Sequence, residues 1–111
     1  MATATYKTYT LTASNVSPTS SIQPLSRTYF LGPFFTQLAA KITSGTPNFT
    51  VQYTYDDPAS ISLWFNVTDI EAATADADAR FESPATAVRL VVNSGTGAVT
   101  LTAVQVFIDQ S

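Results

Sequence analysis

The chain contains no cysteine and no histidine among its 111 residues. Without cysteine there is neither a disulfide nor a thiolate metal site, so the fold does not depend on the redox state of its compartment. Without histidine the commonest general base, the middle member of a hydrolytic triad and the best zinc ligand are all missing. Charge is also scarce: five Lys and Arg against eight Asp and Glu, 12% of residues in all, for a net charge of −3. Five scattered cations on an acidic balance argue against a nucleic-acid partner. No apolar run approaches membrane-spanning length. The opening Met1-Ala2-Thr3-Ala4-Thr5 carries neither the basic cluster nor the apolar core of a secretory signal. The expectation is a soluble chain made in the cytoplasm, with no membrane contact and no cofactor.

What is present is Thr, Ser and Ala, together with β-branched and aromatic residues, which is the composition of strands. A chain of this length forms one domain that buries somewhat over about 60% of its unfolded surface. A small domain normally needs more charge than this to stay dispersed. A surface of Thr, Ser, Ala and apolar groups suits contact with other protein, which points to a component of an assembly.

Residues 86–108 organise the sequence. Val88, Leu90 and Val92 alternate with Arg89, Val91 and Asn93, the period of a strand with one buried face. Asn93-Ser94-Gly95-Thr96-Gly97 supplies a turn, and residues 98–108 run back, so the stretch reads as a hairpin. It has an echo fifty positions earlier in the numbering. Ser44-Gly45-Thr46 precedes Phe49-Thr50-Val51 as Ser94-Gly95-Thr96 precedes Val99-Thr100-Leu101, with Leu38, Ala40 and Ile42 in phase with Val88, Leu90 and Val92. Two similar hairpins in a small domain suit an all-β, antiparallel two-sheet sandwich, jelly-roll-like, with about eight strands and essentially no helix.

Taken in order, residues 4–13 form an edge strand, and residues 15–24, with two prolines, an extended polar arm. Residues 1–24 are thus a strand and arm, and residues 25–111 the sandwich proper. Residues 27–31 read as a short strand before Gly32-Pro33, followed by strands at 34–43 and 48–56. In the second of these Val51, Tyr53 and Tyr55 share a face. Asp56-Asp57-Pro58 ends it. Ile61, Leu63, Phe65 and Val67 predict a strand with one apolar side and Trp64, the only tryptophan, on the other. Residues 69–78, rich in Ala and acids, read as a loop with a single turn, and residues 79–82 as a short strand. In the last strand the phase slips between Val99, Leu101 and Phe107 and Val104, Val106 and Ile108. That slip predicts either a bulge near Ala103-Val104 or a strand covered on both faces. Val104, Val106 and Ile108, with Ile22 of the arm and Trp64, are the candidate interface residues.

Other candidates weigh less. Asp76-Ala77-Asp78 has the spacing that opens a calcium loop, but Phe81 stands where an EF-hand requires Gly, and Ala87 where it requires Glu. Asp56-Asp57 offers paired carboxylates, yet neighbours on a strand point to opposite faces and do not converge on one substrate. Trp64, Tyr53 and Tyr55 form a candidate sugar-stacking platform. The sequons at Asn15, Asn48 and Asn66 are expected by chance in a Ser/Thr-rich chain. No catalytic or metal-binding constellation emerges.

Phe49-Thr50-Val51-Gln52-Tyr53-Thr54-Tyr55-Asp56-Asp57-Pro58 with Leu63-Trp64-Phe65 resembles a pattern in small bacteriophage virion structural proteins. So does the run from Pro84 through Asn93, the Gly-Thr-Gly turn and Thr100-Leu101-Thr102-Ala103-Val104-Gln105. The resemblance spans residues 34–105 and describes a fold more than a role. It implies a non-enzymatic virion protein, foremost a capsid cement (decoration) protein that binds the major capsid protein and its own copies, as a homotrimer at three-fold positions. The alternatives are a carbohydrate- or receptor-binding module of a tail or fibre, and a head–tail (neck) adaptor.

Overall fold

A computed structural model describes residues 2–25, 34–81 and 85–110, with side chains placed for 7–25, 36–80 and 85–105. Eight strands follow one another: β1 (Ala2–Ser14), β2 (Gln23–Pro24), β3 (Phe34–Gly45), β4 (Asn48–Thr54), β5 (Phe65–Asn66), β6 (Ala77–Phe81), β7 (Ala87–Ser94) and β8 (Gly97–Gln110). A 3-10 turn at Thr68–Ile70 is the only helical element among the described residues. The strands form two antiparallel sheets of four, ordered β1-β8-β3-β6 and β2-β7-β4-β5.

This order has a simple origin. First pairs with last, β1 with β8, β2 with β7, β3 with β6 and β4 with β5. The chain therefore behaves as one long antiparallel ribbon, rolled until β8 also meets β3 and β7 also meets β4. That is the jelly-roll solution to the problem of burying one face of each sheet.

The rolling corrects the reading of two hairpins. β3 and β4 lie in different sheets, as do β7 and β8. The Ser-Gly-Thr turns are therefore corners at which the chain crosses from one sheet to the other. The two corners stand side by side, with Gly45 opposite Gly97 in the ladder and the Thr46 amide donating to the Thr96 carbonyl at 2.8 Å. The echo thus has a spatial counterpart: the arms of the two corners pair with each other, β3 with β8 and β4 with β7.

The alternation is obeyed where it was strongest. Val88, Leu90 and Val92 are buried, as are Leu38, Ala40, Phe49 and Val51, and in β8 Val99, Leu101 and Ala103. Ile70 of the 3-10 turn closes the core and is also fully buried. The total accessible surface of 5985 Å² matches the roughly 5,900 Å² expected of a folded monomer of this mass. The buried residues of the two sheets form one continuous core cluster.

Three expectations need correction. The phase slip in the last strand is not a bulge, because β8 pairs with β1 in unbroken register from Ala98 to Gln110. Val104 simply occupies the outer face, half-exposed, while Gln105 turns inward and is buried. The ladder shifts lie instead between Ile42 and Ser44 in β3 and between Asn48 and Phe49 in β4. Residues 61–67 do not form a continuous strand with a buried apolar side: only Phe65–Asn66 pairs, and Leu63 and Phe65 are 55% and 40% exposed. Asp56 holds this stretch instead: its carboxylate accepts the Ser62 and Leu63 amides, both at 3.0 Å.

The third concerns the polar segment 15–24, which lies along β7 of its own chain. Ser20 exchanges bonds with Leu90 (amide to carbonyl at 2.8 Å, Leu90 amide to Ser20 Oγ at 2.9 Å), and Val92 donates to the Pro18 carbonyl at 2.7 Å. Together with β1, this segment is laid into the two sheets beside the rest of the chain. The expected strand at 27–31 lies outside the described residues.

Candidate binding surfaces

Three surfaces emerge from this frame. The first is the outer face of the sheet β1-β8-β3-β6. Cross-strand register aligns Thr12, Thr100 and Lys41 in one row, Thr10, Thr102, Ala39 and Asp78 in the next, and Thr8, Val104, Gln37 and Arg80 in a third. Thr is favoured here because its branched Cβ suits a pleated, half-solvated face and its neighbours across strands pack on it. Most of these positions are uncharged. The edge is the 13-residue β1, beyond which no further strand lies among the described residues.

The second surface is the outer face of the other sheet. Arg89 Nε donates to Gln52 Oε1 at 2.7 Å, Gln52 Nε2 to Asn66 Oδ1 at 2.9 Å, and Asn66 Nδ2 to Glu71 Oε2 at 2.6 Å. A cation and an anion are thereby joined through two amides that pair because Arg89, Gln52 and Asn66 are register neighbours. The Arg89 guanidinium also sits 4.3 Å from the centre of the Trp64 ring, an attractive geometry for a cation over an indole. Partial burial lowers the basicity of Arg89.

The third lies where the sandwich opens between the edge strands β5 and β6. Tyr53, Tyr55 and Phe65 form a mutual cluster: Tyr53 and Phe65 stack at 5.7 Å, Tyr55 meets Tyr53 edge-on at 5.5 Å, and Tyr55 and Phe65 lie 5.8 Å apart. Tyr53 packs against the core, whereas Tyr55 is 47% exposed. Desolvation, and then the charge and hydrogen bond of Tyr55, raise the Tyr53 phenol above its ordinary value. A cleft of about 230 Å³ adjoins Tyr53, lined also by Thr68, Asp69, Ala79 and Arg80.

The expected platform of Trp64, Tyr53 and Tyr55 therefore holds for two of its three rings. Tyr53 and Tyr55 come together, but their third ring is Phe65, and Trp64 lies against Arg89 instead. Sequence reasoning missed Phe65 because it was assigned to a buried side. The signal was available in Asp56, an acid placed to hold the amides of a returning loop.

The candidate interface residues do not share one face. Val104 is on the Thr-rich sheet, Ile22 is 44% exposed in the segment before β2, and Trp64 is half-buried against Arg89. Val106 and Ile108 belong to β8 by backbone, but their side chains lie outside the described part. Two further carboxylates hold backbone amides. Asp57 Oδ1 accepts from the Ala59 amide at 3.0 Å, and Asp76 Oδ1 from the Ile42 amide at 2.8 Å beside the ladder shift in β3. Asp56 is committed to residues 62 and 63, and those bonds lower its pKa. Asp56 and Asp57 hold different amides, whereas Asp76 and Asp78 both line a cleft of about 300 Å³ beside Lys41.

No protein-family model matches the sequence, and no curated protein does. Among solved structures the chain is similar to one from Bacillus endospore appendages, described as a novel family of disulfide-linked pili. The TM-score is 0.56 at 8% identity, covering 99% of this chain and 90% of that one. At that identity the likeness is one of fold: a β-sandwich also used by a protein of an extracellular appendage.

Proposed function

We propose that this chain is a non-enzymatic structural protein of a bacteriophage virion, a cement protein that seats itself on the head, contacts the major capsid protein and its own copies, and resists internal pressure. The observation that supports this most is the Thr-rich face of β1, β8 and β3. It is broad, nearly uncharged and free of a catalytic cluster among the described residues, and it ends in a long exposed strand edge. Such a face gains from burial of its methyl groups against another protein and loses little by desolvating charge. Val104 stands in this face. A trimer about a lattice three-fold gives each copy two like neighbours and lets small contacts sum.

Mixing the purified protein with heads that lack it tests the proposal. Binding that saturates in proportion to the capsid lattice, with a rise in the temperature at which heads rupture, is the expected outcome. Failure to bind heads, or a handful of copies per particle, would refute it. A handful would point to the neck.

One observation favours a second reading. The shared fold spans nearly the whole of both this chain and the appendage protein, which suits a subunit of an extracellular fibre. Lacking cysteine, such a fibre would be held by noncovalent contacts alone, so denaturant without reductant would dissolve it.

A further inference from the structure

The aromatic cluster at the β5–β6 opening has features the Thr-rich face lacks, and we infer that it is a binding site for a single pyranose ring of a saccharide. This stands apart from the proposed role in a shell. Three rings in mutual contact, with Tyr55 and Phe65 at 47% and 40% exposure, make a contiguous apolar patch rather than scattered surface residues. Sugars present apolar C–H faces beside hydroxyl edges, and they bind where aromatic rings meet fixed polar groups. Both halves are present here. Tyr53 joins them: it stacks on Phe65 and also lines the adjoining cleft, together with the polar residues Asn66, Thr68, Asp69 and Arg80.

Size and stiffness point the same way. At about 230 Å³ the cleft is smaller than the sites that hold drug-sized molecules, so it takes one ring and leaves the rest of an oligosaccharide in solvent. The rings are already in place. Tyr53 is held between the core and Phe65, and Tyr55 precedes an aspartate whose carboxylate is tied to the loop at 62 and 63. A ligand therefore meets a platform whose ordering cost has been met in folding.

The test uses the full chain against arrayed oligosaccharides of glucose, galactose, mannose and N-acetylhexosamine, followed by titration of hits in solution. Wild-type protein is expected to bind at least one class. Tyr55→Ala and Phe65→Ala should each weaken it by about three- to tenfold, the loss of one stacking contact. Trp64→Ala, on the opposite face, should leave affinity within about twofold. Tyr55 and Phe65 are exposed enough for both variants to fold, and unchanged melting curves establish that they have. Binding by no array member, or affinity that survives Tyr55→Ala and Phe65→Ala, overturns the inference. So does a Tyr55→Ala variant that loses shell binding while no wild-type saccharide contact exists, since the patch would then be a protein contact.

Discussion

Gly45 and Gly97 face each other where the two halves of the chain change sheets, and neither has room for a side chain. A Cβ on Gly97 would stand 2.0 Å from the Ser44 carbonyl oxygen, and one on Gly45 would stand 2.3 Å from that of Thr96. Both also take positive φ, +120° and +69°, where an L-residue is strained. Gly97→Ala is therefore expected to destabilise the fold by about 3 kcal/mol or more. The check is chemical denaturation of the variant beside Ser94→Ala, an exposed neighbour that should change little.

The Asp56 loop predicts a pH effect with a definite sign. The amides of Ser62 and Leu63 hold the carboxyl below its ordinary 3.8. A folded value lower than the unfolded one gives stability that is present above the unfolded value and lost as pH falls through the folded one. Melting temperatures of wild type and Asp56→Asn, followed from about pH 6 to about pH 2, should differ at the upper end and converge at the lower. A constant gap would mean that the loop does not depend on the charge.

Thr36 is fully buried on the inner side of β3, and its hydroxyl has no hydrogen-bond partner among the described residues. A buried hydroxyl without a partner costs free energy that an isosteric methyl does not. Thr36→Val should raise stability by about 1 kcal/mol, seen as a melting temperature higher by roughly 4–8 °C. A fall would reveal a bonded hydroxyl.

Ser20 carries the attachment of the N-terminal segment to β7. Its Oγ accepts the buried Leu90 amide and donates to the Ser21 carbonyl at 2.8 Å. Ser20→Ala leaves the Leu90 N–H without that acceptor, at a cost of about 1–3 kcal/mol. Hydrogen exchange at Leu90 should accelerate more than at Leu101, which pairs within the other sheet.

Much of the fold was legible from alternation alone, because burial on one face of a strand writes itself into every second residue. Val88, Leu90, Val92, Val99 and Leu101 all obey it. What alternation does not encode is which sheet a strand enters. A Ser-Gly-Thr turn has the same local chemistry whether it closes a hairpin or carries the chain around a corner, so the partners of β3, β4, β7 and β8 were misread. The aromatic site was hidden for a related reason. Ile61, Leu63 and Phe65 have the spacing of a buried strand, but the side chain of Asp56 holds the backbone donors at 62 and 63, and Leu63 and Phe65 are exposed. A side-chain acceptor outside a segment can hold it without altering its periodicity. The segment 15–24 shows the reverse: its prolines and polar residues suggested freedom, yet Ser20 supplies through its side chain a bond that a strand would supply through its backbone.

The pairing of β1 with β8 also governs how the fold closes. Ala2 is the ladder partner of Gln110, so this pairing spans nearly the whole described length of the chain. β8 is moreover flanked on both sides, by β1 and β3, and a polypeptide released without it would lose the middle of a sheet rather than its margin. Closure between such remote positions is slow. It also couples the two flanking strands: any opening of β8 bares the backbone of β1 and β3 together.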